Sequence, residues 1–180
     1  GITANLLNSF EVTHDGSRLQ ARLDDVIAGE TRTLVFKLAI SAGSGGTALP
    51  LPLKLAYRHV ETGETRTAMS SEALLARAPA AEVAAEMPDG SVLEDAALLE
   101  AALARDEALR ADAAGDYATS AARLASASHY LRQMAPASPA AQQEALTLEG
   151  EVATAAGGFT SRKRKEMHYD QNTRRQSREK

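Results

Sequence analysis

The stretch SVLEDAALLEAALARDEALRADAAGDYATSAARLASASHYL, residues 91–131, decides the architecture. Val92, Ala96, Leu99 and Leu103 fall at i, i+4, i+7 and i+11, the spacing of one helical face, which predicts a helix from about Ser91 to Ala113. Gly115 stops it. Asp116 offers a carboxylate to cap a second helix, in which Tyr117, Ala121, Leu124, Ser128 and Leu131 share a face until Pro136 and Pro139. A third helix is expected from Ser138, with Pro139 favourable in its first turn and Ala141, Ala145, Leu148 and Val152 inward. Gly157-Gly158 closes it. Ala-lined seams let helices approach closely, but with no Trp and only 4% aromatic residues the core has few large anchors.

Upstream the period changes from 3.6 to two. Leu19, Ala21 and Leu23 alternate with Arg18, Gln20 and Arg22, and Leu34, Phe36, Leu38 and Ile40 alternate with Thr33, Val35, Lys37 and Ala39. Leu51, Leu53, Leu55 and Tyr57 repeat the pattern, and these three sets are the expected strand core. Turn-forming residues separate them: His14-Asp15-Gly16, Ala28-Gly29-Glu30, Ser41 to Gly46 and Thr62-Gly63. The fold class expected is therefore α+β. An antiparallel β-sandwich over residues 1–76 and a linker over 77–90 precede a helical hairpin or short bundle over 91–158 and a basic tail over 159–180.

The net charge of −4 conceals an asymmetry. Between Ser161 and Lys180 eight Lys and Arg face three acids, a surplus of five that leaves −9 for the rest. Arg162, Lys163, Arg164, Lys165, Arg174 and Arg175 are thus the candidate contacts to a polyanion or an acidic partner. Only Tyr169 is at hand for base stacking, so nucleic acid is the alternative rather than the first reading.

Catalytic signatures are not legible. The absence of cysteine removes thiolate metal sites and cysteine nucleophiles, and fits a reducing, cytoplasmic setting. His14, His59, His129 and His168 are dispersed, no Gly-x-Ser-x-Gly elbow is present, and Gly43-Ser44-Gly45-Gly46 lacks the Lys-Ser/Thr of a phosphate loop. Neither a cofactor nor a metal is expected. No run of about 20 apolar residues that could span a bilayer occurs. The turn at Gly115-Asp116-Tyr117 resembles that of one tetratricopeptide hairpin, whereas such arrays need about three units.

The order of parts carries a wider resemblance. Leu23-Asp24-Asp25-Val26-Ile27-Ala28-Gly29-Glu30-Thr31-Arg32, a following strand, Leu55-Ala56-Tyr57-Arg58 and Thr62-Gly63 resemble the β region downstream of the von Willebrand factor A domain in bacterial proteins. Gly115-Asp116-Tyr117, Ala121, Leu124, Ser161-Arg162-Lys163, Tyr169 and Arg174-Arg175 are similar to the C-terminal end of those proteins. The resemblance implies a non-catalytic protein-interaction or scaffolding module whose partners include the parent's own A domain, or a second copy. A helical surface at Tyr117, Leu124 and Leu131 would serve it. The family's metal loop, Asp-x-Ser-x-Ser, has only partial matches at Asp15-Gly16-Ser17 and Asp89-Gly90-Ser91, so metal-dependent adhesion is expected upstream of Gly1, in a longer parent.

Overall fold

Alternation predicts five or six short strands in the first part of the chain, and the Ala-Leu-Glu period predicts helices in the rest. The computed structural model describes residues 2–27, 29–41, 48–134 and 136–176. The fold is α+β. Strand β1 (Ile2–Leu6) pairs antiparallel with β4 (Phe36–Ile40), and β2 (Glu11–Asp15) pairs with β3 (Arg18–Arg22). β5 (Ala48–Arg58) and β6 (Thr65–Ala76) form a longer hairpin. Helices α1 (Ala80–Ala85), α2 (Gly90–Ala113), α3 (Tyr117–Met134), α4 (Pro139–Ala155) and α5 (Ser161–Arg175) follow.

Two compact units result, and their boundary differs from the expected one at residue 76. Residues 1–40 and 88–180 make the first unit, and residues 41–87 make the second. Among the described residues the strands form three two-stranded antiparallel ladders. The β-sandwich expected over 1–76 is not what these ladders show, because alternation specifies a half-covered strand without specifying which sheet covers it.

In the first unit, α2, α3 and α4, with Phe159 of the following turn and Met167 of α5, bury a cluster of twelve residues, seven of them alanine, around Leu124, Leu131 and Leu148. Small side chains bring the backbones together, and a few leucines supply the bulk. The caps are those the chemistry required. Ser138 accepts at Oγ from the Ala141 amide at 3.0 Å, and Asp116 Oδ1 accepts from the Thr119 amide at 3.0 Å. Gly115 (φ 80°) follows the C-terminus of α2, and Gly158 (φ 83°) that of α4. An added Cβ at Gly158 would lie 2.9 Å from the Tyr117 ring, so both backbone and packing demand glycine there.

The expected strand core is corrected in position. None of Leu19, Ala21, Leu23, Leu34, Phe36, Leu38, Ile40, Leu51, Leu53, Leu55 or Tyr57 is buried. Burial near the strands falls instead on Leu6, Leu7, Asn8 and Phe10, at the end of β1 and just after it. Buried Asn8 prolongs the β1–β4 ladder with its side chain: Nδ2 donates to the Thr33 carbonyl at 3.1 Å, and Oδ1 accepts from the Val35 amide at 2.9 Å. The expected stripe on α2 is rotated as well. Val92 is 57% exposed and Leu99 is buried, while Arg105 and Asp112 turn inward with Ala97, Ala101 and Ala108. A helix covered on more than one side cannot be read from its apolar residues alone.

Candidate functional site

The basic segment is the strongest charge feature of the sequence, and it is a helix rather than a tail. Thr160 caps it, accepting at Oγ1 from the Lys163 amide at 3.2 Å, and Met167 and Gln171 are its buried residues. Met167 packs into the bundle core as one of its largest fully buried side chains. Charge does the rest. Asp106 and Asp112 on α2 and Glu144 and Glu151 on α4 make an acidic seat, and α5 brings cations at both ends.

At the first end Lys163 Nζ donates to Glu151 at 3.1 Å, and Arg164 Nε donates to Asp112 at 2.6 Å. The Asp112 side chain is fully covered, and its other oxygen accepts from the Phe159 amide at 2.9 Å. At the far end Arg174 reaches Glu144 at 3.3 Å and Arg175 reaches Asp106 at 3.5 Å. Arg105 of α2 completes the set from beneath, pairing with Glu144 and, at 2.8 Å, with Glu151. Burial lowers the Arg105 pKa, and the two carboxylates outweigh that effect, so its charge is secured. Burial holds the Arg175 guanidinium below the ordinary arginine value, with Asp106 opposing and Arg110 adding to the fall.

The C-terminus of α5 is also tied to the strand region of its own unit. The Ser9 amide donates to the Arg175 carbonyl at 3.2 Å, and Arg32 donates to the Gln176 carbonyl at 2.9 Å. Donors at the carbonyl end of a helix satisfy groups that have no partner within it.

Of the six cations read from sequence, Lys163, Arg164, Arg174 and Arg175 are therefore engaged with carboxylates of α2 and α4. Arg162 pairs within α5 to Glu166 at 2.8 Å, with its side chain 90% exposed. Lys165 is exposed and lines an open recess of about 370 Å³ with Arg164, His168, Tyr169 and Asn172. The acids that receive the segment were missed in the sequence. Glu144 and Glu151 share a helical face at i, i+7, but Asp106 and Asp112 do not, and carboxylates on a helix ordinarily face solvent.

The helical interaction surface requires correction. Leu124 and Leu131 have no exposed area and form the bundle core, because their face is the one α2 and α4 cover. Tyr117 is 40% exposed with its ring against Gly158. Among the described residues the exposed large hydrophobic side chains of α2 to α5 are Val92 and Leu146, beside Tyr117 and Tyr169.

Both partial metal-loop matches have structural uses. Asp89 caps α2, its Oδ1 accepting from the Ser91 amide and hydroxyl at 2.8 and 2.7 Å, and these bonds hold its carboxyl below the usual value. Asp15 and Arg18 pair across the β2–β3 turn, where Gly16 has φ 57°. Among the described residues no group of three or more His, Asp or Glu could hold a metal ion, and no helix is long and apolar enough to cross a membrane. Gly43-Ser44-Gly45-Gly46 lies outside the described residues. No protein family model, curated protein or solved structure matches this chain.

Proposed function

We propose that this chain is a non-catalytic protein-interaction or scaffolding module, the C-terminal accessory region of a bacterial, cytoplasmic protein of the von Willebrand factor A class. The observation that supports it most is the second unit. Not one described residue between 41 and 87 is buried, although β5 and β6 are 11 and 12 residues long. A two-stranded hairpin without a covered face is marginal in water, and it gains stability from whatever partner covers it. The first unit, by contrast, closes its own core and presents α5 as a fixed, charge-seated helix.

The protein reading stands ahead of polyanion binding because four of the six candidate cations already have carboxylate partners within the bundle. Light scattering of the chain alone and mixed with the A domain of its parent polypeptide tests the reading. A complex or a self-associated species is expected. A chain that stays monomeric, ignores the A domain and already protects its hairpin amides from exchange would refute it.

A further inference from the structure

The two edges of the β5–β6 hairpin are chemically unequal. Along β5 the sequence runs Leu49-Pro50-Leu51-Pro52-Leu53, and proline has no N–H to give. Pro50 lies opposite Leu74 and Pro52 opposite Glu72 in a ladder that continues through both. The missing donors therefore belong on the outward side, as prolines in edge strands require. The outer edge of β5 is interrupted at two alternate positions and is a poor template for another strand.

Residues directly opposite each other in such pairs both turn their N–H and C=O away from the partner. Glu72 and Leu74 consequently turn their backbone groups to the outer edge of β6, where no strand lies beside them among the described residues, and Ser70 and Ala76 follow by the period of two. β6 contains no proline from Thr65 to Ala76, and among the described residues it pairs with β5 alone. The irregularity between Leu55 and Ala56 falls short of this stretch. Leu49, Leu51, Leu53 and Leu55 share a face with Leu75, Ala73, Ser71 and Met69. On that face Leu53, Leu55 and Met69 remain 44%, 41% and 45% exposed.

We propose that the outer edge of β6 is a pairing site and that its occupant is β6 of a second copy of this chain. Antiparallel pairing gives a four-stranded sheet ordered β5, β6, β6, β5, which passes the three strands that independent stability needs. Both outer edges are then proline-bearing β5 strands, so the assembly closes at two copies instead of extending. Charge excludes one register, and the regular stretch from Ser70 to Ala76 is centred on Ala73. A two-fold axis at Glu72 would set like charges opposite each other, whereas an axis at Ala73 sets Glu72 against Leu74 and a small residue against itself. That register forms about eight backbone hydrogen bonds between copies.

The inference rests on the protein-interaction reading and names the partner of its hairpin. The test uses the full chain, which has no cysteine of its own. Ala73→Cys should give a disulfide-linked dimer under mild oxidation at least ten times faster than Glu61→Cys in the loop, because the two Ala73 positions face each other. Glu72→Pro, which removes an outward donor as Pro50 and Pro52 do on β5, should convert a dimer in sedimentation to a monomer with an unchanged circular dichroism spectrum. Equal crosslinking at both positions, or a monomer at every concentration, would overturn the second-copy proposal. If the hairpin amides then gained protection only on adding the A domain, the interaction reading would stand without it.

Discussion

Leu124, Leu131 and Leu148 have no exposed area in the helical unit, while Leu53 and Leu55 of the hairpin keep 44% and 41% of theirs. Both regions are rich in leucine at regular spacing. The difference is what each face meets. Three helices of the first unit pack around the same alanines, so each apolar face is covered by two others. The hairpin has one partner strand beside it and no described layer over it. Periodicity makes an apolar face, and only topology makes a core.

Substitutions should separate the two units sharply. The largest effect belongs to the charged interior of the first: Arg105→Met leaves the nearly covered Glu144 and Glu151 with only Arg174 and Lys163 as partners and should cost about 3–5 kcal/mol in urea unfolding of the helical unit. Leu148→Ala should follow at about 3 kcal/mol, because the bundle cannot fill the space. Leu53→Ala in the monomeric hairpin should cost less than about 1 kcal/mol, since the leucine is already half in water. A comparable loss at both leucines would erase the distinction.

An effect between those of the two leucines is expected at the turn that delivers α5. Gly158→Ala should destabilise the first unit by about 1–2 kcal/mol, combining left-handed backbone with contact against Tyr117. Thermal unfolding would read it.

The smallest effect is in pH. Hydrogen bonds from Arg132 and Ser128 hold the Glu149 carboxyl below its ordinary 4.5, and bonds from Thr119 hold that of Asp116 below 3.8. A carboxyl depressed in the folded state stabilises above its ordinary value and loses that contribution as pH falls through the folded one. The helical unit should therefore weaken modestly on acidification below about pH 4.5, and an increase in stability there would contradict these contacts.

Much of the helical unit was legible. Ser138, Asp116 and Gly158 specify helix ends by their own chemistry, and of the expected set Ala141, Ala145, Leu148 and Val152 the first three are buried and the last half-buried. The strand region was legible as strands and not as a core. Val35 and Thr33 are held by Asn8, a polar residue that no alternation rule would place inside. The seat of α5 was illegible for a related reason. Asp112 and Glu151 look like solvated helix positions until Arg164, Lys163 and Arg105 arrive from elsewhere in the chain.

Hydrogen exchange on the dilute, monomeric chain tests the central claim most directly, because it reads both regions in one sample. Amides of α2, α3 and α4 should be protected together, while those of Ala48–Arg58 and Thr65–Ala76 should exchange far faster and become protected only when a partner is bound. Equal protection of hairpin and helices in the isolated monomer would contradict the account.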